Sequence, residues 1–99
     1  MITRIVKMSF VPEKLDDFRS LFETYKNQIA HAEGCVSLRL VQAQGSSICF
    51  TISEWKNEIF LEQYRQSELF ATVWSQTKTF FNGKPEAWTT EVLFSSETL

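Results

Sequence analysis

The chain has 99 residues, 43% of them hydrophobic and 22% charged, with a formal net charge of −2. That length suits one domain burying roughly 60 to 70% of its unfolded surface, and a second is not expected. Its ten scattered Lys and Arg residues disfavour a polyanionic partner, which needs clustered cations to displace counterions, and no apolar run approaches the ~20 residues of a membrane span. The expectation is a cytoplasmic single domain over 1–99, ordered to about residue 94, with a tail at Ser95 to Leu99.

Ile2 to Phe10 alternates in part, Ile2, Val6, Met8 and Phe10 against Thr3, Ile5, Lys7 and Ser9, and is predicted to be a strand with one buried side. Pro12 then sits where a first helical residue belongs. Glu13, Asp16 and Asp17 place negative charge in the first turn, where the helix dipole favours it, and Leu15, Phe18, Phe22, Tyr25 and Ile29 recur at helical spacing. Lys26 and His31 fall near the end of this helix and Gly34 is its natural stop.

Cys35 to Ala43 reads as a second strand, with Val36, Leu38 and Leu40 on one face, while Ser37, Arg39 and Gln42 leave the alternation imperfect toward the turn. Gln44 to Ser47 supplies a hairpin turn. The third strand sets Ile48, Phe50 and Ile52 against Cys49, Thr51, Ser53 and Trp55. If the turn centres on Gly45 and Ser46, Cys49 pairs near Gln42 and lies roughly 23 Å along the sheet from Cys35, too far for a disulfide. With one His and no close cysteine pair, a zinc site is not expected, and the thiols should be reduced and packed.

Asn57 is placed to cap a helix carrying Phe60 and Tyr64, and Ser67 to cap another carrying Phe70, Val73, Trp74, Thr77 and Phe81, which Asn82, Gly83 and Pro85 end. Ala87 to Phe94 closes the chain as a strand, Trp88, Thr90, Val92 and Phe94 alternating with Ala87, Thr89, Glu91 and Leu93. The order β, α, β, β, α in two pieces, β is the split ferredoxin-like arrangement, an α+β protomer whose antiparallel sheet carries its helices on one side. The strongly apolar faces should meet the helices. The opposite face then carries Ile5, Cys35, Val41, Cys49, Trp55 and Leu93 beside Lys7, Arg39, Thr51 and Glu91, a mixture that suggests a symmetric partner sheet rather than water.

The run SEWKNEIFLEQYRQSELF, together with MITRIV, the acidic-start helix and the EGC tract before an alternating strand, resembles the antibiotic-biosynthesis-monooxygenase family of dimeric α+β barrels over nearly the whole chain. The resemblance implies a homodimer with a small-molecule cavity between sheet and helices in each protomer, and a cofactor-free monooxygenase acting on a small aromatic or quinol-type ligand. Two departures bear on the chemistry. Where many members have His-x-x-Ser-x-His-Phe, this chain has Tyr64, Ser67, Leu69 and Phe70, losing both imidazoles. Haem-degrading members use an Asn on the first strand, a helical Trp and a His ten residues later; here Tyr64 and Trp74 fall at the last two positions and Ile2 to Phe10 contains no Asn, so haem degradation is not expected.

Tyr64 and Trp55, at positions that match the family's pocket-lining signature, are the candidate catalytic residues, and Trp74 and Phe70 are candidates for substrate binding; so, from the residues themselves, are Ser53 and Arg39, a mid-strand arginine with apolar neighbours on both sides in sequence. Tyr64, Arg39 or Ser53 would stabilise a phenolate, and the aromatics would shape the cavity. Two bland readings compete: aromatics at helical spacing are usually core, and Arg39 suits a surface or dimer contact. His31 fits a solvated imidazole at a helix C-terminus better than a proton carrier. The alternative function is a non-catalytic dimeric ligand-binding module, and other chemistries on the same barrel stay open.

Overall fold

A computed structural model describes residues 1–98. Four strands form one antiparallel sheet, β1 (Ile2–Ser9), β2 (Cys35–Gln42), β3 (Ile48–Trp55) and β4 (Glu86–Glu91), in the order β2-β3-β1-β4. Helices α1 (Leu15–Ala30), α2 (Glu58–Arg65) and α3 (Glu68–Thr77) cover one face of it. The arrangement is the expected ferredoxin-like α+β protomer. Phe10 continues β1 only as an isolated bridge to Phe81, a 3₁₀ turn spans Lys78–Phe80 after α3, and β4 stops at Glu91, short of the expected Phe94. Of the expected tail, Ser96–Thr98 forms a 3₁₀ turn and Leu99 lies outside the described residues.

Pairing register decides which side chains meet the helices. Ile2, Arg4, Val6 and Met8 of β1 stand opposite Trp55, Ser53, Thr51 and Cys49 of β3, so those eight share a face. Buried Met8 and Cys49 pack there with Phe10 and Phe18, and buried Trp55 packs with Ile2 and Leu61. This reverses the expectation for β3: Cys49, Thr51 and Trp55 face the helices, and Ile48, Phe50 and Ile52 face away. A strand apolar on both sides gives alternation nothing to discriminate, so only the register sets its orientation.

The correction extends to Cys35, Val36, Glu91, Leu93 and Trp88. Cys35 pairs with Trp55 while Ser37 pairs with Glu54, so Val36 is the extra residue of a β-bulge. The bulge turns Cys35 toward the Trp55 cluster and leaves Val36 exposed, the opposite of simple alternation. Glu91 pairs with Ile2 and so shares its face, Trp88 lies opposite Ile5 on the far side, and exposed Leu93 lies beyond the strand. Ile5, Lys7, Arg39 and Val41 do occupy the far face as expected. Cys49 sits opposite Gln42 at the other end of the hairpin from Cys35, and both thiols are free.

Helix α1 ends at Ala30, with His31 rather than Gly34 at its cap. Gly34 instead turns the chain into β2 at φ 82°, and a Cβ there would collide with the Phe60 side chain. Only glycine combines that backbone with so close an approach. Gly34 thus sets where α2 lies against the edge of the sheet.

Candidate functional site

The two core clusters lie toward opposite ends of the helix-facing side, and between them is a cavity of about 270 Å³. Its floor is drawn from two rows of side chains across the sheet, to which Leu38, Ser53, Arg4, Thr51, Val6 and Ala87 contribute. In one, Leu38, Ser53, Arg4 and Thr89 stand in line across all four strands; in the next, Leu40, Thr51, Val6 and Ala87 do so. Tyr64, Arg65, Phe70, Val73 and Trp74 contribute to the lining from α2 and α3.

Caps position the helical residues. The Asn57 side chain accepts from the backbone N–H groups of Ile59 and Phe60 at 2.9 and 3.2 Å, starting α2. Ser67 accepts from the N–H of Phe70 at 3.1 Å and donates to the carbonyl of Tyr64 at 2.6 Å. One hydroxyl therefore ends α2 and begins α3, satisfying groups that a helix terminus leaves unpaired. The result is a fixed bend that sets the Tyr64 ring edge-on to Phe70 at 5.4 Å.

From there the rings continue in both directions. Tyr64 stacks on Trp55 at 5.1 Å, Phe70 on Trp74 at 5.9 Å, and Trp74 meets Phe81 edge-on at 5.6 Å. Such contacts add about 0.5 to 1.5 kcal/mol each beyond area burial. They link the rings into a continuous aromatic wall beside the cavity.

Trp55 is 1% exposed, and its indole N–H donates to the Ser53 hydroxyl at 2.9 Å. The indole is thus wall and anchor, its polar end already used, and the Ser53 oxygen keeps a hydrogen to offer a guest. Tyr64 makes no hydrogen bond through its hydroxyl among the described residues. Burial, reinforced by the Cys35 thiol nearby, pushes its phenol up to about 12. At neutral pH Tyr64 is a proton donor and not a base.

Arg4 and Arg65 also line the cavity. Arg4 is partly buried, donates to the Thr89 hydroxyl at 2.9 Å and makes no salt bridge among the described residues. Burial lowers its guanidinium from the ordinary value, Arg65 lowers it further and Glu62 opposes them. Glu62 is itself 3.2 Å from Arg65. Sequence reasoning missed Arg4, although the signal was present: it falls at the period-two position between Ile2 and Val6, a cation on an otherwise apolar face.

Of the six residues proposed from sequence, Trp55, Tyr64, Phe70, Trp74 and Ser53 surround this one cavity. Arg39 does not; it pairs with Ile52 on the far face and is exposed. The single histidine, His31, is exposed at the end of α1 with Nδ1 2.7 Å from the Asn27 carbonyl oxygen, so no imidazole reaches the cavity. Among the described residues no three His, Cys, Asp or Glu side chains converge to hold a metal ion.

A small α+β sheet domain with an aromatic cavity beneath its helices defines the class. The sequence profile of the antibiotic biosynthesis monooxygenase family matches residues 1–74, and the chain belongs to that family. Solved structures similar in fold include an antibiotic biosynthesis monooxygenase, with TM-score 0.88 and 16% identity over 94% of this chain and 99% of that one. A conserved protein from Methanosarcina mazei Go1 aligns with TM-score 0.85 and 24% identity, covering 92% of each chain. A Mycobacterium tuberculosis protein aligns with TM-score 0.88 and 15% identity over 96% of this chain and 97% of its own. No curated protein matches the sequence.

Proposed function

We propose that the protein is a homodimeric, cytoplasmic monooxygenase that binds a small aromatic or quinol-type molecule in the cavity beneath α2 and α3 and oxygenates it without metal, flavin or haem. The observation that carries this reading is the cavity itself, walled by Trp55, Tyr64, Phe70 and Trp74 and holding few polar groups, among them the Ser53 hydroxyl and the phenol of Tyr64. Aromatic ligands are held this way, with apolar walls for the ring and sparse donors for orientation.

The chemistry asks little of the protein. A substrate with an acidic C–H or O–H ionises, and its carbanion density adds dioxygen; one oxygen atom stays on carbon as a carbonyl and the other leaves as water, so that a CH₂ and O₂ become C=O and H₂O. Tyr64 and Ser53 stabilise the anion by donating to it, and Trp55 fixes Ser53. The dry walls exclude competing water.

Dimerisation is supported by the far face. Ile5 lies beside Ile52 and Trp88, and Phe50 beside Val41, leaving an apolar patch that the helices of the same chain do not cover. A second copy meeting it sheet to sheet would bury that patch symmetrically.

A specific observation also favours a non-catalytic binding module: the cavity holds no imidazole and its tyrosine stays protonated at neutral pH. Oxygen uptake over a panel of dihydroxy-aromatic compounds separates the two. Saturable uptake that falls in Tyr64→Phe supports the oxygenase; binding without uptake supports the module and ends the catalytic reading.

A further inference from the structure

Resting on the reading of the cavity as a ligand site, we infer that its ligand is an aromatic molecule carrying a fixed carboxylate, received by Arg4 with Arg65 beside it. Two cations border a cavity otherwise made mainly of apolar and aromatic side chains. Glu62, the acidic group that acts on Arg4, is already engaged with Arg65. It acts on Arg4 only at a distance, and among the described residues Arg4 makes no ion pair; its hydrogen-bond partner is a neutral hydroxyl, Thr89.

A partly buried guanidinium without a carboxylate partner is costly to maintain, and an anionic guest would supply what the fold omits. The bond to Thr89 uses one N–H of five, and Arg4 lines the cavity. The remaining donors form the planar fork that matches a carboxylate in two parallel hydrogen bonds. Arg4 also lies in the same row as Ser53, its direct neighbour on β3. A carboxylate on Arg4 would thus place an attached ring within the space walled by Tyr64, Phe70 and Trp74.

Three naphthalene probes of similar shape test this by tryptophan fluorescence titration: 2-naphthoate, 2-naphthamide and 2-naphthol, of which only the first is charged at pH 7. The naphthoate should bind about tenfold more tightly than either neutral probe, the effect of one charge-assisted hydrogen-bonded pair. Arg4→Gln, which keeps a donor for Thr89, should abolish the preference; Arg4→Lys should retain part of it, and Arg65→Gln should weaken it less. Equal binding of all three probes, or a preference unchanged in Arg4→Gln, overturns the inference while leaving an aromatic site in place. Failure of every probe to bind removes the aromatic cavity reading and the inference together.

Discussion

The indole N–H of Trp55 and the hydroxyl of Ser53 lie 2.9 Å apart on the same face of β3, two residues apart in the chain. This bond makes the pair a unit. Removing the hydroxyl strands a buried N–H, since Trp55 is 1% exposed. Ser53→Ala should cost about 1 to 3 kcal/mol in unfolding free energy, and Trp55→Phe in that background should cost less than it does in the parent. Denaturant unfolding of the two single variants and the double variant measures the coupling; strict additivity would show that the bond contributes nothing.

Tyr64 gives a pH dependence with a definite sign. Its phenol has an unfolded value near 10.0 and a folded value raised to about 12 by burial first and Cys35 second. The folded state therefore holds its proton where the unfolded state has lost it. The contribution is fully present below about pH 10 and is lost as pH climbs toward 12, amounting to on the order of 2 kcal/mol. Stability measured from pH 9 to 12 should fall more steeply in the parent than in Tyr64→Phe, and phenolate absorbance should show a late titration missing from that variant.

Much of this architecture was legible in the chain because its punctuation is local. Asn57 and Ser67 cap the helices they were expected to cap, and the hairpin register puts Cys49 opposite Gln42 as the turn implied. Sidedness was harder to read. Ile48, Phe50 and Ile52 are more apolar than Cys49, Thr51 and Ser53, yet it is the second set that meets the helices. Amphipathicity cannot orient a strand needing apolar contact on both sides, and the bulge at Val36 shifts a face by a rule no period contains. Arg4 escaped because a cation interrupting an apolar face looks like noise until its neighbours are known. Arg39 attracted attention for its apolar neighbours in sequence, which lie on the other face of its own strand.

Gly34 should tolerate no side chain. Gly34→Ala combines a positive φ with a collision against Phe60, and a loss of about 2 to 4 kcal/mol is expected. Gly45, at φ 73° with open space around it, is the control: Gly45→Ala meets only the backbone cost, about 1 kcal/mol. Thermal unfolding of the two variants should rank them in that order.

The far face of the sheet should hold two copies of the chain together. Sedimentation should give twice the 11.5 kDa chain mass, and Trp88→Glu or Phe50→Glu, which put charge into the apolar patch, should shift the protein toward monomer. A parent that sediments as a single chain would remove the dimer from the proposal.

The space beneath α2 and α3 should receive an aromatic guest. Backbone amide NMR during titration with 2-naphthoate maps it most directly, residue by residue. Shifts should concentrate at Arg4, Ser53, Tyr64, Phe70 and Trp74 and leave Phe50, Trp88 and His31 unmoved. Shifts centred on the far face, or none at saturating probe, would contradict it.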